Sequence, residues 1–172
     1  MSESYYVGGR KVELDRSVDY VAVDQTAAQK AGLQAQVDAA CDGSPRQGGG
    51  VVLVPRTALD EKTIANLSDA GALQPVYRRK NAVMVALPEV RVEFDTAEQR
   101  RAVMDVLAES EALPHNVSQD TEDFLTVRPQ SGSGVDALKL ANDIHERGND
   151  ADASVRFIQF VPKPLASLPR RR

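Results

Sequence analysis

Val90-Arg91-Val92-Glu93-Phe94 alternates strictly between apolar and polar residues, the period of a strand with one face buried and the other in water. The period then changes. Thr96 with Gln99 three residues on forms a capping box, and Val103, Val106 and Leu107 follow on one helical stripe with Ala102 and Ser110 beside it. Leu113 to Val117 and Phe124-Leu125-Thr126-Val127 predict two further strands. Val135 to Arg147 predicts a helix with Val135, Leu138, Ala141 and Ile144 inward, ended by Gly148. Ser154 to Val161 predicts a last strand stopped by Pro162. It places Val155, Phe157 and Val161 on one face and Ile158 and Phe160 on the other, a pattern for cover on both faces. Residues 90–161 therefore run β-α-β-β-α-β, the order of a ferredoxin-like unit.

The first half carries the same pattern less completely. Tyr5-Tyr6-Val7 and Lys11-Val12-Glu13-Leu14 flank Gly8-Gly9-Arg10 as a hairpin. Val18 to Val23 predicts a buried strand, and 25–41 a helix carrying Ala28, Leu33, Val37, Ala40 and Cys41, weakened at Gly32. Gly48-Gly49-Gly50 predicts a mobile connector tolerant of lengthening. Val51-Val52-Leu53-Val54 after it predicts a buried strand. Asp60 to Asp69 predicts a short helix, and Leu73 to Arg78 and Ala82 to Leu87 predict a strand pair joined through Asn81. Residues 18–78 thus run β-α-β-α-β, the same order with one strand lost or replaced by the glycine loop. The fold class expected is α+β, with two tandem ferredoxin-like (βαββαβ-type) units built on antiparallel sheets. The boundaries fall at 1–88 for the hairpin and first unit, 89–162 for the second, and 163–172 for an extended tail. Each unit leaves one sheet face needing cover, supplied by the other sheet or by a partner.

Charge and chemistry narrow the function. A net charge of −4 over 172 residues argues against a nucleic-acid partner. No apolar run approaches the ~20 residues of a membrane span, the amino terminus has no secretory pattern, and a single cysteine fits a reducing, cytoplasmic setting. Trp is absent, which disfavours an aromatic-lined ligand cavity. His115, His145 and Cys41 are far apart in sequence and show no metal-ligand spacing; Asp120, Glu122 and Asp123 lack the pattern of a calcium loop. No nucleophile motif is present, so no catalytic residue, metal or cofactor is expected.

The opening hairpin (5–14), the segment Ala72-Leu73-Gln74-Pro75-Val76-Tyr77-Arg78-Arg79 and the close Val155 to Pro162 resemble the amino-terminal propeptide-like regions of bacterial subtilisin-like serine proteases. No protease Asp, His and Ser blocks follow, so the resemblance implies a stand-alone inhibitor or folding chaperone whose partner is a subtilisin-like serine protease. It also implies that the sheet packs on the enzyme and that the carboxyl-terminal tail enters the substrate cleft as an added strand. Leu165, Ala166, Ser167, Leu168 and Pro169, together with Phe160 at the end of the last strand, are the protein-binding residues expected. With Leu168 just before the scissile position, Leu165 falls in the fourth pocket back and Pro169 just after, where cleavage is slow. The same tail reads equally as a solvated terminus. Two other functions stay open: an interaction or scaffold module with no protease partner, and a small-ligand-binding regulatory protein.

Overall fold

The computed structural model describes residues 3–41, 46–109 and 114–160. β1 (Glu3–Val7) and β2 (Arg10–Arg16) form the opening hairpin. β3 (Tyr20–Asp24) leads into α1 (Gln25–Lys30), capped where Asp24 accepts from the Ala27 amide, and then α2 (Gln34–Ala40). The single helix expected over 25–41 is thus two, because Gly32 takes φ +73 between them. β4 (Arg46–Gly48) and β5 (Val51–Pro55) make a hairpin, followed by a 3-10 turn at Arg56–Ala58, α3 (Glu61–Asp69) and β6 (Leu73–Gln74). Then come β7 (Val76–Arg79), β8 (Ala82–Glu93), α4 (Ala97–Glu109), β9 (His115–Asp120), β10 (Phe124–Pro129), α5 (Gly134–Arg147) and β11 (Asp152–Phe160).

The architecture is α+β with two antiparallel sheets. The small sheet runs β4-β5-β3-β6, and the large one β1-β2-β7-β8-β10-β9 with β11 on the other edge of β8. Numbered from its own first strand, the small sheet has the spatial order second, third, first, fourth; so does the β9-β10-β8-β11 part of the large sheet.

Two prolines decide where the chain departs from its sequence pattern. The strand expected over 73–78 breaks at Pro75, and its halves join different sheets, β6 to β3 and β7 to β8. Conversely, the strands expected at 82–87 and 90–94 are one continuous strand through Pro88. β7 pairs with 82–85, β10 with 90–93 and β11 with 83–86 and 90–93, so Pro88 sits in a gap of the ladder where no partner needs its missing amide. The boundary expected between 88 and 89 falls inside this strand.

The layers follow from alternation. On the small sheet Val21, Val23, Val52 and Val54 face α1–α3, meeting Ala28, Val37 and Leu67. Ala22, Val51 and Leu53 face the other way, onto Val76, Val85, Leu87 and Phe160 of the large sheet. The far side of the large sheet buries Met84, Val90, Val92, Leu125, Val127 and Val155 under α4 and α5, where Val103, Leu138 and Ile144 close the core. The sheets therefore cover one another between two helical layers.

The glycine run is not a mobile connector. Gly48 ends β4, the strand the sequence pattern left out, and Gly49 and Gly50 turn the hairpin at φ +58 and +79. A Cβ at Gly49 would stand 2.8 Å from Ile158 Cδ1 and 3.1 Å from Leu87 Cδ1, whereas one at Gly50 meets nothing within 4 Å. Gly49→Ala is expected to cost about 1–3 kcal/mol from backbone strain plus overpacking, and Gly50→Ala less, from strain alone. Equal urea midpoints for the two variants would show that the turn does not press on β11.

Candidate protein-binding site

The small sheet covers only part of the large one. Beyond Leu87 and Ile158, the same face continues as an open surface built from β9, β10, β8 and β11. Because Val90, Val92, Leu125, Val127, Ala153 and Val155 point into the core, their alternate neighbours point out: Glu89, Arg91 and Glu93 on β8, Phe124, Thr126 and Arg128 on β10, and Asp152, Ser154 and Arg156 on β11.

Register sets the contacts across this face. Glu93 lies opposite both Phe124 and Asp152, and Arg91 opposite both Thr126 and Ser154. The Arg91 guanidinium lies 4.3 Å from the Phe124 ring centroid while its Nε donates to Glu93 Oε1 at 3.2 Å. Arg128 donates to Glu89 Oε2 at 2.7 Å, and Arg156 stands 4.0 Å from the same oxygen. Thr126, 7% exposed, donates to Gln119 Oε1 at 3.3 Å. Three arginines and three carboxylates thus share this face with one half-buried aromatic ring, which Arg91 alone among them covers. Exposed pairs of this kind contribute ~0–1 kcal/mol to folding, so stability does not explain the array. With Arg91 stacked on Phe124 at the start of β10, this polar face combines the arginine and aromatic side chains that are enriched at binding surfaces.

Phe160, expected to contact a partner, is 8% exposed and packs between the sheets, where it anchors the end of β11 opposite Val83. Leu165, Ala166, Ser167, Leu168 and Pro169 lie outside the described residues. The open face carries none of the residues singled out from the sequence. The alternation of Arg91 and Glu93 was visible there, but not where the covering sheet stops.

The other chemistry-bearing groups lie on separate elements. The Cys41 thiol is pushed up by burial and by nearby Asp38, the reverse of an activated nucleophile. His145 Nδ1 lies 3.0 Å from the Ala151 carbonyl oxygen and its ring 4.1 Å from that of Tyr6, while His115 opens β9 opposite Pro129. Among the described residues no group of three or more His, Cys, Asp or Glu is placed to hold a metal ion, and no helix is long and apolar enough to cross a membrane.

At the opening hairpin, Arg16 donates to both Glu3 oxygens at 2.9 and 3.0 Å. Burial alone would raise the Glu3 carboxyl, but the two bonds and the charge of Arg16, with the nearby Lys139 charge, together hold it below its usual value. A depressed folded pKa stabilises fully above the unfolded value of about 4.3 and is lost as pH falls through the folded one. The hairpin is therefore expected to loosen only below about pH 4, and Arg16→Ala to shift that loosening upward. Amide resonances of 3–6 followed against pH test this; identical profiles in both proteins would refute it.

No protein-family model and no curated protein matches the sequence.

Proposed function

We propose that this protein is a non-catalytic inhibitor or folding chaperone of a separately encoded, subtilisin-like serine protease, acting in the cytoplasm. In this reading the chain comprises two ferredoxin-like units whose sheets cover one another, leaving the face around Phe124 for the enzyme. The observation that carries the proposal is that open face, placed on the strand that leads into the tail. From Ser154 to Phe160 along β11 is roughly 20 Å at ~3.3 Å per residue. One partner contact of standard size, ~800 Å² on each side, spans the face and the point where β11 ends.

Face and tail then have separate tasks. The face supplies register and orientation through Arg91, Phe124, Arg128 and Arg156, and Leu165 to Pro169 occupies the substrate cleft. Pro169 after the scissile position keeps the tail from being cut, so Pro169→Ala is expected to become a slowly cleaved substrate.

The test is affinity capture of the tagged full chain from its native host, alongside a Phe124→Ala bait. Enrichment of a subtilisin-like protease by the wild-type bait, reduced by Phe124→Ala, supports the reading. Capture of unrelated proteins only, or peptide hydrolysis by the purified protein itself, contradicts it.

A further inference from the structure

An open groove of about 850 Å³ runs between α3 and the turn that leads into β3. Glu61, Ile64, Ala65 and Ser68 recur at helical spacing and make one wall from a single face of α3, while Leu67 on another face enters the core. Val18, Tyr20 and Pro55 make the other wall. Val18 is 71% exposed, and Pro55 and Ala65 also stand in water. Asp19, Arg56 and Glu61 sit on the rim, so its charge is near balance and the apolar walls decide what it takes. Contiguous apolar surface of this kind marks an interaction site.

The chain's own end is placed to fill it. Phe160 lies opposite Val83, and Val83 opposite Arg78, two strand spacings or ~10 Å across the sheet. The Arg78 guanidinium pairs with Asp19 on the rim of the groove, and Tyr20 packs on the apolar layer that contains Phe160. Residues 161–172 follow Phe160. Extended, 161–165 span roughly 17 Å, enough to bring Leu165 to the groove. Leu168 then lies ~10 Å further on, the length of α3 from Glu61 to Ser68. The nearer cavity, at the β7–β8 turn, is lined by Arg79, Lys80 and Gln159 and repels Lys163. We infer that in the free protein Leu165 and Leu168 lie in the groove, latching the tail against α3. Tethering gives the segment a local concentration on the order of millimolar, so a contact too weak to hold a free peptide still closes the latch. Pro164 and Pro169 lower the ordering cost. The latch needs no protease; where one is present, groove and cleft compete for the same two leucines.

The experiment compares amide resonances of the full chain, of a chain lacking 163–172 and of the double variant Leu165→Ser, Leu168→Ser, with no partner added. Removal of the tail is expected to shift 18–20, 55–59 and 61–68. The resonances of α5, which packs on the far side of the large sheet, should keep their positions. The double variant retains the tail's length and should reproduce those shifts. Val18→Glu alters an exposed wall of the groove, and in it the amides of 165–168 should move to the positions they have in the isolated peptide 163–172. Wild-type amides of 165–168 already at the peptide positions overturn the inference. Tail-dependent shifts confined to 157–160 and the β7–β8 turn, or a double variant indistinguishable from wild type, overturn it as well. Because no enzyme is present, these outcomes leave the protease reading untouched.

Discussion

Gly134→Ala is expected to destabilise the protein by more than about 3 kcal/mol, or to prevent folding. Gly134 opens α5 directly against β8, and a Cβ there would stand 2.1 Å from the Ala86 carbonyl oxygen, 2.8 Å from its carbon and 3.0 Å from Pro75 Cδ. The obstacle is backbone of a central strand, so no rotamer change relieves it. The helix would have to lift from the sheet, opening the core beneath Ala137, Leu138 and Ala141. Urea unfolding checks this against Gly50→Ala, where a Cβ meets nothing. A Gly134→Ala midpoint near wild type would mean that α5 does not approach β8 so closely.

Gln74→Leu is expected to cost about 2–4 kcal/mol for a different reason. Gln74 is 5% exposed on β6 of the small sheet, and its amide reaches across to the loop before α5. Nε2 donates to the Gly132 carbonyl oxygen at 2.8 Å, and Oε1 accepts from the Gly134 amide at 2.8 Å. Leucine fills the space but leaves both backbone groups without those bonds, one of them at the first turn of a helix where donors lack internal partners. Because the amide ties the small sheet to the loop and helix that pack on the large one, the loss should appear as a lower midpoint in one cooperative transition. Two separate transitions in the wild type would show that the sheets fold independently despite their shared apolar layer.

Local physics explains which of these features were legible in the sequence. The alternation of 90–94, the Thr96 and Gln99 cap and the stripe of α5 are short-range patterns. The alternation appears as written. The Gln99 amide donates to Thr96 Oγ1 at 3.1 Å, while Gln99 Oε1 accepts from the Asp95 amide at 2.9 Å, one residue before the expected cap. On α5 Leu138, Ala141 and Ile144 are inward and Val135 is only half-buried. β4 was illegible because Arg46-Gln47-Gly48 has no apolar period; its strand conformation comes from pairing with β5. Pro75 and Pro88 look alike as breakers, yet one ends a strand and the other lies within one. The difference is whether a neighbouring strand needs the missing amide, which tertiary pairing alone sets. The open face was hidden for the same reason. Arg91, Phe124, Arg128 and Arg156 come from three strands, and their exposure depends on how far the small sheet reaches. Phe160 illustrates the converse, an aromatic residue near the tail that the sheet interface absorbs.

The most direct test of the central proposal is the inhibition constant of the full chain against the subtilisin-like protease captured with it. It should be measured for wild type, for a variant lacking 164–172, and for Phe124→Ala, with circular dichroism confirming folding. The account predicts stoichiometric inhibition by wild type and at least tenfold weaker inhibition by each variant, about 1.4 kcal/mol of binding apiece, with unchanged spectra. Undiminished inhibition by both variants, or no inhibition by the wild-type protein, would contradict it.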